Sequence, residues 1–185
     1  MQAAAAASTP AVPIALDAAG PASPVPHPVP SVGPPYAVRP EWIDDNGHMN
    51  LAYYVVLFDW ATDHLWTAIG LGDPFRATGH GTFAAESHIL FKAELVADEV
   101  VQVRSLVLGA DEKRLHVAHE MWRVRDGQIA AQQELMFLSV DLGTRRVAPF
   151  SAPFARGLQA VAIAHAAAPL PGWTGSRIAM PARPA

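Results

Sequence analysis

Leu51, Val55, Phe58, Thr62, Leu65, Trp66 and Ile69 fall on the i, i+4, i+7 spacing of a single helical face. Asn50 precedes them as an N-cap, since its side-chain oxygen accepts a backbone N–H of the first turn, and Gly70 follows as the stop. The pattern predicts a helix over 51–69. Tyr53, Val56 and Trp60 lie off the stripe, and an apolar girth this wide predicts a helix enclosed by other elements. Asp59 and Asp63, one turn apart, mark its narrow wet or pocket-facing side.

Downstream the period changes from helical spacing to two. Residues 81–95, 99–109, 114–125 and 128–142 alternate apolar and polar side chains, as half-buried strands do. Asp126-Gly127 between the last two is the strongest hairpin signal, and a tight turn of that kind needs positive φ at both central residues. One short strand before the helix and four long ones after it predict an α+β fold, a long antiparallel sheet curling around one central helix. That folded unit spans residues 36–142. Residues 1–35, dominated by Ala and Pro, read as a disordered arm, and residues 143–185 as a C-terminal extension with one faint helical pattern over 152–168.

Composition narrows the function classes. The 185 residues include no cysteine, which removes a disulfide framework, a cysteine-type zinc site and a thiol nucleophile. Thirteen basic and seventeen acidic side chains form no long block of either sign, and a net charge of −4 argues against nucleic acid as a partner. The start lacks Lys and Arg, and Pro10 and Pro13 interrupt its only apolar run, so no secretory signal is expected. No segment approaches the roughly 20 apolar residues of a membrane span. The expectation is a soluble, cytoplasmic protein.

The candidate chemistry lies just before the helix, where Asp44, Asp45, Asn46, Gly47 and His48 stand together. Their loop feeds the helix N-terminus, where backbone N–H groups lack partners and the dipole is positive. Such a terminus stabilises a developing oxyanion, and a carboxylate beside it can act as nucleophile or general base. The same residues also suit plain capping and turn formation. In "HVAHE", residues 116–120, His116 and His119 would point to opposite faces of a strand, so they do not close a metal site.

The run Asp44-x-Asn46-Gly47-His48-Met49-Asn50-x-x-x-Tyr54, followed by Phe58 and Asp59, resembles the signature of hot-dog-fold acyl thioesterases of the 4-hydroxybenzoyl-CoA and acyl-ACP thioesterase kind. It departs from that signature at Leu51, where a second asparagine is common. The resemblance implies a hot-dog fold and hydrolysis of an acyl-CoA to CoA and a free acid without metal or organic cofactor. It also implies a homodimer or larger assembly with acyl pockets at the subunit interface. By the family spacing Asp44, rather than Asp45, is the catalytic carboxylate. Asn46 and His48 orient the reacting groups, and the backbone N–H near Leu51 holds the oxyanion. Tyr54 packs in the helix and borders the substrate. Glu86 on the first long strand assists catalysis, contacts substrate, or belongs to a polar network. Lys92 and Arg114 are the implied contacts to the phosphates of coenzyme A.

"TFAAESHILFKAEL" and "GADEKRLHVAHEM" further resemble the thioesterases associated with carnitine dehydrogenase that cleave betainyl-CoA. A betainyl group carries a quaternary ammonium, best held by aromatic faces, and Trp60, Trp66, Trp122, Tyr53 and Tyr54 are available, with Asp59, Asp63 or Glu86 to balance the charge. Hydration or dehydration of an acyl thioester, and acyl binding without catalysis, are the alternatives on the same scaffold.

Overall fold

The computed structural model describes residues 30–178. Two short strands, β1 (Ser31–Val32) and β2 (Tyr36–Ala37), come first, and helix α1 (Leu51–Ile69) follows a 3-10 turn at Pro40–Trp42. After the one-turn helix α2 (Asp73–Arg76) the long strands run as β3 (His80–Phe91), β4 (Val100–Ala110), β5 (Arg114–Arg123) and β6 (Ile129–Asp141). The short strand β7 (Arg146–Val147) and helix α3 (Ala152–His165) complete the order. All strands form one antiparallel sheet in the order β1-β4-β5-β6-β3, with β2 also on β4 and β7 on β6. This is the expected sheet wrapped on a helix. The upstream partner of β4 is two short segments rather than one, and the first lies inside the stretch read as an arm.

The caps of α1 form as its sequence dictates. Asn50 Oδ1 accepts the Ala52 N–H at 3.0 Å, and Gly70, at φ 81°, sends its N–H to the Trp66 carbonyl. Only glycine takes that left-handed conformation without penalty. The buried face is Tyr54, Leu57, Phe58, Ala61, Thr62, Leu65, Trp66 and Ile69. It is rotated from the expected stripe, for Leu51 is 64% and Val55 41% exposed. Among the described residues the helix is therefore enclosed on one side only. Its open face carries Leu51, Val55, Asp59 and Asp63.

Against α1 the core divides along the helix axis. Leu57, Phe58 and Ala61 pack with Val101, Val103, Met121 and Ala131, while Leu65, Trp66 and Ile69 pack with Val107, Leu115, Val117 and Phe137. The second half is completed by Phe150, Leu158 and Val161, so the C-terminal extension contributes to the core through α3.

Between the halves lies a buried polar chain. Thr62 Oγ1 donates to the Phe58 carbonyl at 2.9 Å and lies 3.1 Å from His119 Nε2, while His119 Nδ1 lies 2.8 Å from Ser105 Oγ. Because the Thr62 proton is committed to Phe58, Nε2 carries the ring hydrogen and Nδ1 accepts from Ser105. Burial pushes the His119 pKa down to about 3. The ring is neutral at ordinary pH.

The hairpin at Asp126-Gly127 forms, but not as a two-residue turn. Only Gly127 has positive φ there, at 68°, and Gly127 N–H reaches back to the Arg123 carbonyl at 2.9 Å. The Asp126 carboxylate takes the Arg123 guanidinium at 2.7 Å and the Gln128 N–H at 3.1 Å, which holds the longer turn. No helix among the described residues is long and apolar enough to cross a membrane.

Candidate active site

The loop before α1 is a tight, self-bonded turn. Gly47 N–H closes on the Asp44 carbonyl at 2.9 Å, Asp44 N–H on the His48 carbonyl at 3.0 Å, and Gly47 adopts φ 83°. A side chain at 47 would be strained, which explains the glycine. Asp44 Oδ1 accepts the Asn46 N–H at 2.8 Å, so the turn fixes the carboxylate that it carries. On the far side, Asn50 N–H bonds the Trp42 carbonyl at 2.9 Å and Met49 N–H the Leu95 carbonyl at 2.7 Å. The loop is thereby fastened to the segment that follows β3 and to the 3-10 turn that precedes it.

At the helix start, the Ala52 N–H is taken by Asn50 Oδ1 and the Tyr53 N–H by the Asn50 carbonyl. The Leu51 N–H has no acceptor among the described residues. It is a first-turn donor with the positive end of the helix dipole behind it, which suits an anionic oxygen.

Both features open on one cavity of about 490 Å³. Asp44, Asn46, His48, Leu51, Tyr54 and Lys92 all line it, so six of the residues singled out in the sequence converge. Asp45 does not line it, and it is exposed where Asp44 is half-buried. Tyr54, only 4% exposed, donates its hydroxyl to the Ala93 carbonyl at 3.0 Å, and burial raises its pKa. A phenol held this way borders the cavity without supplying an acid or base.

Three expected site residues lie elsewhere. Trp60 packs its ring on Tyr36 and Trp42, at centroid distances of 5.4 and 6.1 Å. Arg114 is bound to Asp111 at 2.7 Å, in grooves separate from Asp44. Glu86 lines a second cavity of about 340 Å³ with His88, His116 and Glu134 on the outer side of the sheet. There His116 Nε2 meets Glu134 Oε1 at 2.7 Å, Gly175 N–H meets Glu134 Oε2 at 2.7 Å, and Trp173 Nε1 donates to Glu120 at 3.1 Å. The segment of Trp173 and Gly175 thus lies across this polar face, and Glu86 belongs to those surroundings. His116 and His119 do face opposite sides of β5, one outward and one into the core.

The cavity also holds two residues that sequence reasoning missed, Phe91 and Glu94. Glu94 Oε1 lies 3.7 Å from His48 Nε2. Phe91 ends β3 and Glu94 follows it, far beyond the motif in sequence, and only the fold brings them to it.

Residues 38–158 match the sequence model of the thioesterase-like superfamily. The chain belongs to that superfamily. It is 41% identical over 145 residues to a betainyl-CoA thioesterase of Pseudomonas aeruginosa, covering 78% of this chain and 91% of that one. It is 36% identical to an L-carnitine dehydrogenase/betainyl-CoA thioesterase of Agrobacterium fabrum, covering 74% of this chain and 28% of that longer protein. A Staphylococcus aureus protein solved in complex with CoA superposes with TM-score 0.73 at 26% identity, over 81% of this chain and 94% of that one. A putative thioesterase from Pseudomonas putida superposes with TM-score 0.70 at 32% identity, over 83% and 98% of the two chains. The hot-dog fold and the thioesterase class expected from the Asp44 to Asp59 signature are therefore those of this chain.

Proposed function

We propose that this thioesterase hydrolyses betainyl-CoA to CoA and betaine, with Asp44 as the catalytic carboxylate. The observation that carries the reading is the opening of Asp44 and the free Leu51 N–H onto one cavity. The acyl group is taken from the Pseudomonas aeruginosa relative, whose similarity spans nearly its whole length. In this reading the thioester carbonyl oxygen lodges at the Leu51 N–H, where the negative charge of the tetrahedral state meets the helix N-terminus. Asp44 then attacks the carbonyl carbon or takes a proton from the water that does. The bond to sulfur breaks, CoA leaves as its thiol, and water supplies the acid oxygen. Under single turnover in heavy-oxygen water, label entering Asp44 identifies the first route, and label confined to the product acid favours the second.

Asn46 and His48 border the same space and orient the reacting groups, and the exposed Lys92 suits the phosphates of coenzyme A. The test is thiol release from a panel of betainyl-, short-chain, medium-chain and aromatic acyl-CoAs. Betainyl-CoA is expected to give the highest kcat/KM. An aromatic or medium-chain preference would replace the acyl assignment and keep the hydrolase, whereas no thiol release from any member would contradict both.

The working unit in this reading is a homodimer. Among the described residues strand β3 pairs only with β6, which leaves one edge of a 12-residue strand open. Phe83, 61% exposed, lies on it, with the bare Leu51 and Val55 on α1. An open edge of this length and apolarity calls for a partner strand, and a second copy related by a two-fold axis continues the sheet. Sedimentation equilibrium is expected to return twice the chain mass, and a monomer at catalytic concentrations would contradict it.

A further inference from the structure

A betainyl group has the N–C–C skeleton of an amino acid, so its ammonium nitrogen stands about 2.5 Å from the thioester carbon. Whatever holds the cation must therefore stand beside Asp44 and Leu51. Asp59 lies eight residues beyond Leu51 along α1 and Trp60 nine, or about 12 and 13.5 Å of helix rise. The Trp60 ring is also occupied by Tyr36 and Trp42. These residues are too remote for a cation bound so close to the reacting carbon.

The Asp44 cavity itself is lined by two aromatic side chains, Tyr54 and Phe91, whose centroids lie 5.2 Å apart with planes at 83°. Tyr54 is 4% exposed and pinned through its hydroxyl, whereas Phe91 is 49% exposed. Phe91 is the accessible ring of the two. A quaternary ammonium donates no hydrogen bond, so an aromatic face with carboxylates nearby is the surface that distinguishes it from an uncharged group. Asp44 and Glu94 supply those carboxylates on the same cavity wall.

We propose that Phe91 is a specificity-determining residue, its accessible ring receiving the trimethylammonium of the acyl group while the edge-to-face contact with Tyr54 holds the ring in place. The inference rests on the betainyl-CoA reading above.

The test compares kcat/KM on betainyl-CoA with kcat/KM on 3,3-dimethylbutanoyl-CoA, in which carbon replaces the charged nitrogen at nearly the same shape. Native protein, Phe91→Leu and Phe91→Trp are measured together. The native protein is expected to prefer the cation, Phe91→Leu to lower that preference about tenfold, mainly through the charged substrate, and Phe91→Trp to retain it. An unchanged preference in Phe91→Leu would overturn the inference. Should that variant fail to fold, Phe91→Met, also without a ring, carries the same comparison. The native columns stand apart from this outcome: a native protein inactive on betainyl-CoA overturns the substrate reading, while one that prefers it and keeps the preference in Phe91→Leu overturns only the role of Phe91.

Discussion

Asp44→Asn is expected to lower kcat/KM for the preferred acyl-CoA by about three orders of magnitude or more, on the order of 4 kcal/mol of transition-state stabilisation. Asparagine retains the side-chain oxygen that accepts the Asn46 N–H at 2.8 Å, so the turn and the helix start survive. The amide loses the negative charge and the basicity on which either route depends. Melting temperature and substrate affinity should therefore change little while thiol release nearly stops. A variant that hydrolyses at the native rate would remove Asp44 from the chemistry, and Asp45→Asn, altered outside the cavity, serves as the control.

The second large effect concerns stability rather than turnover. His119 is wholly buried, neutral, and surrounded by Phe58, Thr62 and Ser105, none of which ionises in the acid range. Its pKa is near 6.5 in the unfolded chain and is pushed down to about 3 by burial in the folded one. Below pH 6.5 the unfolded chain binds a proton that the folded chain refuses. The contribution is therefore complete above about pH 6.5 and is lost as the pH falls toward about 3, at about 1.4 kcal/mol per pH unit in the limit. Between pH 7 and pH 5 this amounts to a loss of about 2 kcal/mol in unfolding free energy. His119→Gln keeps hydrogen-bonding capacity but does not titrate. Urea unfolding should show that variant less stable at pH 7 and less steeply dependent on pH. An identical slope in both proteins would show that the acid sensitivity has another source.

Local signals were the legible part of this chain. Asn50 and Gly70 bound α1 because caps act over two or three residues, and the motif from Asp44 to Tyr54 works because one turn and one helix start are contiguous in sequence. The side of α1 that would be covered was harder to read, since Leu51 and Val55 are as apolar as Leu57 and Phe58. Hydrophobicity alone does not distinguish an apolar face left open from one that joins the core. Trp60, Glu86 and Arg114 had suitable chemistry, but their positions depend on ring packing, on sheet facing and on the competing carboxylate of Asp111. Phe91 and Glu94 carried no local signal. They reach the cavity only because β3 pairs along β6 through to Ala131 and so ends beside the loop of Asp44.

The central claim is that hydrolysis occurs where Asp44 and the helix N-terminus meet. The slow Asp44→Asn protein allows this to be seen directly, by a crystal structure with an intact acyl-CoA bound. The thioester carbonyl oxygen should lie within hydrogen-bonding distance of the Leu51 N–H, with the substituted side chain at position 44 facing the carbonyl carbon. A thioester seated instead at the outer cavity of Glu86 and His116, or with its carbonyl turned away from the start of α1, would contradict the account.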